Sequence, residues 1–382
     1  MIPLFAAVAV LVPLVLLIWR GRRTLPGLIL YYLTVAIPSI LVRRLLPARF
    51  TKTSDTATLS SHPAIEIFSA ALLQTMSWGS ETPDIKAIAN VIEASKELGK
   101  KELEQLGAIT RTTPHGIWIA QSAQDIPVHS DAEAVDGDLQ TVVVMHVHGG
   151  GYCSGHLYQV TTPSYEIIKS FNATTPNKNR RLVYFMIDYK KAPEHPFPAA
   201  LHAATDSYNF ILSHQGIHSI VVGGDSAGAH AVISMLNAFK KENRVMPDAC
   251  ILHSPWVDPS LKILPRVLYT DVFCVEASRR FSRAAFTDAK DRDLVDVPVE
   301  DVGVAKKGTF VIYGGAEMLV DAIDTYVEAL KEASSERGAA VEVWRVEGMP
   351  HTFATLPPLP GFKGPIQESR RRTVDFLIKY IS

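Results

Sequence analysis

The chain has 382 residues, 47% hydrophobic and 20% charged, with a formal net charge of −1. Such a chain can bury a sizeable core, and without a cationic excess it has little to neutralise a phosphate backbone, which excludes nucleic acid as the expected partner. Cys153, Cys250 and Cys274 lie far apart with no CxxC pair. Neither a metal site nor a disulfide framework is expected, although one disulfide between an unspecified pair stays open.

The chain begins with two apolar runs. Residues 2–18, "IPLFAAVAVLVPLVLLI", carry no charge and end at Trp19-Arg20-Gly21-Arg22-Arg23. Their length is at the short end of what spans a bilayer as a helix. A basic leading segment and a small-residue cleavage site are both missing, so the run reads as an anchor rather than a cleaved signal peptide. The second run, "LPGLILYYLTVAIPSILV" (25–42), ends at Arg43-Arg44 and is interrupted by Pro26 and Pro38, which also suits a buried helix. Residues 1–48 are therefore expected to attach the protein to a membrane, with the lipid bilayer as a partner. Arginines follow both runs, so the positive-inside rule selects no orientation. The main domain is lumenal if the second run crosses back and cytosolic if only one run spans.

From residue 49 onward the pattern is that of an α/β domain. Residues 62–108 carry helical periodicity before any strand. "TVVVMHVH" (141–148), "RLVYFMIDY" (181–189), "SIVVGG" (219–224), "ACILHSPW" (249–256), "TFVIYGG" (309–315) and "AVEVWRVEG" (340–348) read as strands. Several are apolar on every residue, as in strands covered on both faces. Helical stretches such as 229–241 and 322–335 separate them, so the sheet is expected to be mostly parallel. Residues 50–115 and 258–305 break the alternation and are expected to form a helical cap.

Taken in order, the first chemical signal is His148-Gly149-Gly150-Gly151, directly after the first strand. Consecutive glycines expose backbone N–H groups as an oxyanion hole requires, with Gly149, Gly150 and the N–H of Ala227 as the natural donors. His148 is expected to brace that loop rather than act as a base. Next, Asn172-Ala173-Thr174 is a glycosylation sequon, usable on a lumenal domain only. Then Gly224-Asp225-Ser226-Ala227-Gly228 fits the G-x-S-x-G nucleophile elbow, with a strand before it and a helix after it. The glycines on either side of Ser226 allow strand and helix backbones to approach closely.

A nucleophilic serine needs a base and an acid to orient that base, expected in the chain order Ser, acid, His. In "GGAEMLVDAIDTY", Glu317 lies just beyond the strand end and is the expected acid. Asp321 is the contender one helical turn later, and Asp324 lies further on. His351, in "EGMPHTF" after the last strand, is the expected base, because catalytic groups gather at the C-terminal edge of open α/β sheets. His146, His230 and His253 are read as structural.

Together "HGGGY", "DYKKAPEHPFPAAL" and "GDSAG" resemble the hormone-sensitive-lipase-like branch of the α/β-hydrolases, which includes arylacetamide deacetylase and the membrane-bound steryl acetyl hydrolases. The resemblance covers residues 140–360, with three separated motifs in family order. It implies a mostly parallel eight-stranded sheet with a helical cap and cofactor-free hydrolysis of carboxylic esters. It also implies a signal anchor at the N-terminus, in keeping with residence in the endoplasmic reticulum. Two departures stand out: Glu317 where many members carry an aspartate in an Asp-Pro-Leu context, and lysines at 190 and 191 where arginine and leucine are more usual. Glu194 is expected to tie down its loop, and Tyr152 keeps the family's aromatic position after Gly151. The expected substrate is a small lipophilic ester, such as the acetyl or short-acyl ester of a sterol, terpenoid or other secondary metabolite. Rival readings are a catalytically silent small-molecule receptor on the same fold and a biosynthetic acyltransferase using the same triad.

Overall fold

The computed structural model describes residues 96–130, 140–174, 180–263, 271, 275–287, 296–300, 302–355 and 363–381. The two N-terminal apolar runs, residues 50–95 of the expected cap and Cys274 lie outside these described residues. Among the described residues no helix is long and apolar enough to cross a membrane.

Eight strands form one sheet in the order β1-β2-β4-β3-β5-β6-β7-β8. They are β1 (Ile109–Thr113), β2 (Gly116–Ala120), β3 (Gln140–Val147), β4 (Arg180–Ile187), β5 (Ile217–Asp225), β6 (Ala249–His253), β7 (Gly308–Gly314) and β8 (Ala340–Val346). All pairings from β4 through β3 to β8 are parallel, whereas β1–β2 and β2–β4 are antiparallel. The interior strands are apolar because helices cover both faces. The helices are α1 (Lys96–Gln105), α2 (Thr161–Thr174), α3 (Ala199–Leu212), α4 (Ala227–Lys241), α5 (Val275–Ala285), α6 (Val320–Ser335) and α7 (Lys363–Ile381).

The pleat of β3 shows how residue order builds the two layers. Val143, Met145 and Val147 join a core with α3, α4 and α6, while Val142 and Val144 join a second core with α1, α2 and α7. Residues 109–113, placed in the cap by the sequence pattern, are a sheet strand instead. The hairpin "ITRTTPHGIWIA" was missed because β1 is a solvent-exposed edge and Pro114 lies within the segment. Thr113 makes the turn, its Oγ accepting the N–H groups of His115 and Gly116. Within residues 258–305, α5 packs against loops that follow the strands: the Phe197 N–H donates to the Ala285 carbonyl and Trp256 Nε1 donates to Ser278 Oγ.

Strand order reverses at β3, since the chain passes from β3 to β4 on one side and returns to β5 on the other. At such a switch point the loops after the two strands part and leave a crevice, the usual place for a ligand in an open sheet. The glycine loop follows β3 and Ser226 follows β5.

Candidate active site

Ser226 is the hinge between β5 and α4 and has φ +53°, ψ −119°, a conformation that side chains rarely adopt. Three backbone hydrogen bonds over-determine it. Its N–H donates to the His253 carbonyl at 2.9 Å, and its carbonyl accepts from Trp256 and His230, each at 3.1 Å. The elbow closes only with glycine at both flanks: a Cβ on Gly224 would meet the backbone of Gly228, and one on Gly228 would meet the carbonyls of Val147 and His148. The strain thus lifts the hydroxyl over the glycine loop.

His351, from the loop after β8, places Nε2 2.9 Å from Ser226 Oγ. Its Nδ1 lies 2.6 Å from Glu317 Oε2. Glu317 is 0% exposed, so its charge acts undiluted by water. Its other oxygen, Oε1, accepts from Ser254 Oγ at 3.0 Å and from the Gly314 N–H at 2.7 Å. Burial pushes the His351 imidazole pKa down, but the hydrogen bond and charge of Glu317, reinforced by Asp271 and Asp225, outweigh it and hold the pKa above the ordinary 6.5. Asp321 sits instead in the first turn of α6, where a negative charge complements the helix dipole.

The glycine loop runs beside the serine. A Cβ on Gly149 would come 3.1 Å from the Ser226 Cβ, so that backbone is in direct contact with the nucleophile's stem. Gly150 and Gly151 have φ +116° and +60°. The Gly150 carbonyl is turned away to accept from the Cys153 and Ser154 amides, and a side chain on Gly151 would strike Phe281 of α5. Ala227 opens α4 and contributes one of the helix's early amides, which have no intrahelical acceptor.

His148 braces this loop. Its ring stacks on Tyr189 at 4.3 Å, with Nδ1 2.7 Å from the Gly149 carbonyl and Nε2 3.1 Å from Asp188 Oδ1. Burial raises the Asp188 pKa, but its bonds to His148 and Lys191 prevail and leave it well below the carboxylate range. The Tyr189 hydroxyl donates to the His148 carbonyl, so "DYKK" supports "HGGG". Glu194 is exposed on that turn. Two further histidines form structural pairs: His146 Nε2 meets Asp225 Oδ1 at 3.0 Å, and His230 Nδ1 meets the Tyr152 hydroxyl at 2.6 Å.

Cys153 and Cys250 are free and buried, and burial pushes the Cys153 thiol up to about 12 with the Glu194 charge adding to the rise. Thiolate chemistry is suppressed there. Asn172 stands in the last turn of α2, where its carboxamide donates to Gln121 and accepts the Leu182 N–H. The nitrogen that a glycan would modify is therefore engaged within the fold.

Two functional groups had no signal in the sequence. Ser254 follows β6 with φ +43° and both donates to Glu317 and accepts the Thr352 N–H. Asp271, in the segment between β6 and β7, accepts the amide N–H groups of His351 and Met318. Neither lies in a motif, and their roles arise only when distant loops converge.

Residues 144–355 match the model of a family described as the alpha/beta hydrolase fold. The chain belongs to the α/β-hydrolase family. An esterase from Acinetobacter venetianus is 32% identical over 123 residues, which cover 32% of this chain and 37% of the esterase. An acetyl-hydrolase from Streptomyces hygroscopicus is 29% identical over 117 residues, covering 30% of this chain and 36% of that protein. The chain thus spans about a third of the length of these curated relatives. A bacterial hormone-sensitive-lipase-family esterase structure superposes with TM-score 0.59 at 22% identity, covering 84% of this α/β-hydrolase and 99% of the other chain, a likeness of fold.

Proposed function

We propose that this α/β-hydrolase cleaves carboxylic esters through an acyl-enzyme on Ser226. The observation that carries the reading is the continuous chain Ser226 Oγ–His351 Nε2 (2.9 Å) and His351 Nδ1–Glu317 Oε2 (2.6 Å) beside the Gly149 backbone. In the first step Ser226 Oγ attacks the ester carbonyl carbon while His351 Nε2 takes the hydroxyl proton. Glu317, accepting from Nδ1–H, keeps the imidazole in the tautomer whose Nε2 is free to accept and stabilises the imidazolium that forms. The carbonyl oxygen becomes an oxyanion held by the N–H groups of Gly149, Gly150 and Ala227. Collapse expels the alcohol, which takes the proton from His351. Water, deprotonated by the same Nε2, then attacks the acyl carbon, and Ser226 leaves with its proton restored.

The kinship with an esterase and an acetyl-hydrolase supports short acyl groups, and the apolar N-terminal runs support a lipophilic alcohol such as a sterol or terpenoid. On this reading residues 2–18 anchor the domain to the endoplasmic reticulum membrane, and the domain is lumenal where residues 25–42 cross back. Detergent-phase partitioning that follows deletion of residues 2–18 tests the anchor.

The activity is tested by fluorophosphonate labelling and by turnover of aryl, steryl and triacyl esters of increasing chain length. Expected are a single adduct on Ser226 and turnover confined to short acyl chains. A folded chain that takes no label at Ser226 overturns the reading in favour of a receptor. Product dominated by ester exchange when an alcohol acceptor is added assigns the site to acyl transfer.

A further inference from the structure

A third buried acid touches the site and is not used by the mechanism above. Asp271 belongs to the cap region after β6 and is 3% exposed. Its Oδ1 accepts the His351 amide N–H at 2.7 Å, and its Oδ2 accepts the Met318 amide N–H at 2.8 Å. Met318 directly follows Glu317. One carboxylate therefore fastens the main chain that bears the base and the main chain that bears the acid, two loops leaving different strands.

Ser254 links the same two loops through Glu317 Oε1 and the Thr352 N–H. A neutral hydroxyl thus suffices for a clip, at a small desolvation cost. Burying a second carboxylate near Glu317 is dearer. Burial pushes Asp271 up, the His351 charge opposes this and the Glu317 charge adds to the rise, leaving Asp271 at about 6. The cation that forms beside this buried acid is His351 when it takes the serine proton.

We propose that Asp271 is a positioning residue for the Ser226–His351–Glu317 site, a cap-borne carboxylate that clamps the base and acid loops together and supplies a second negative charge favouring the imidazolium. The role rests on the serine-hydrolase reading above. It explains why both oxygens are engaged by amides. An asparagine there could accept one N–H only and would turn its NH2 toward the other. Among the described residues Glu317, Asp271 and Asp225 each favour the His351 imidazolium, and removing Asp271 withdraws one of these charges.

The test is Asp271→Asn in the full chain. The kcat for a short p-nitrophenyl ester should fall about 100-fold with KM little changed, as expected when a base is misplaced on the ångström scale. The acidic limb of kcat/KM should also move to lower pH. A second readout needs no turnover: the His351 imidazole followed by NMR through a pH titration, assigned by its disappearance in His351→Gln. Its midpoint should move to lower pH in Asp271→Asn. A shifted midpoint in a chain that hydrolyses no ester removes the hydrolase reading but keeps the clamp and its charge. An unmoved midpoint in folded Asp271→Asn overturns the proposal, even if activity has fallen, because a purely structural acid would do that. Should the Asn variant not fold, Asp271→Ser, which keeps a small acceptor and drops the charge, carries the same expectation.

Discussion

Ser226 stands between two buried histidine–carboxylate pairs made of the same chemical parts. His351 and Glu317 come from loops after β8 and β7, and the pair leaves Nε2 pointing at the serine hydroxyl. His146 and Asp225 belong to the neighbouring strands β3 and β5, where the ladder fixes them, and their 3.0 Å bond consumes Nε2. Asp225 directly precedes the serine, holding the strand end from which the elbow springs, and its charge adds to that of Glu317 in favouring the His351 imidazolium. The pairs differ in what the second ring nitrogen faces. A buried imidazole–carboxylate pair is thus an acid–base device only when loops, free of the ladder's constraint, can aim it.

The largest effects should fall on the loop pair. Ser226→Ala and His351→Gln should each lower kcat for a short-chain ester by up to about 10⁶-fold, and the double variant should be no worse than either, since the two act as one unit. Steady-state kinetics on the three variants checks this. If His146→Gln proved equally silent while folded, the distinction between the pairs would be lost.

Glu317→Gln comes next. It keeps the shape but favours the wrong imidazole tautomer, so turnover should drop about 10⁴-fold, while Asp321→Asn should remain near wild type. The reverse ranking would move the acid to α6.

What could be read from the sequence is whatever depends on neighbours along the chain. The elbow is set within five residues, because strand, strained serine and helix must follow one another there, and the glycine loop is likewise local. Glu317 and His351 were readable at one remove, as polar residues just past strand ends, where an open sheet gathers its chemistry. Ser254 and Asp271 were not. They act by bonding main-chain amides of loops tens of residues away, and any small or acidic residue looks ordinary until those loops meet. The edge hairpin β1–β2 escaped for another reason: an exposed strand lacks the apolar run that betrays a buried one.

The strand pair should answer in stability where the loop pair answers in rate. His146→Ala leaves Asp225 buried with its principal partner gone, and breaking such a pair costs about 3–5 kcal/mol. Denaturant unfolding should show that loss, while the fraction still folded keeps a kcat close to wild type. Gly228→Ala should sit just below, at about 1–3 kcal/mol, because its Cβ meets two carbonyls that close the elbow.

The smallest effect separates the pairs by pH. His351 must be neutral to accept the serine proton, and its pKa is held above 6.5. Activity should therefore decline by about tenfold per pH unit on an acidic limb whose midpoint lies above that value. Stability runs the other way. A raised folded pKa contributes stability that is fully present below 6.5 and is lost as pH rises through the folded value. In Asp225, burial raises the pKa but the His146 bond wins and lowers it, so its contribution is present above the ordinary 3.8 and is lost only as pH falls through the folded value. Across the range where His351 titrates, Asp225 is therefore constant, and a change in unfolding free energy there that vanishes in His351→Gln belongs to the loop pair. Glu317→Gln removes the strongest support for the imidazolium and should carry both the kinetic limb and the stability change to lower pH together. Movement of one without the other would mean that the group controlling rate is not His351.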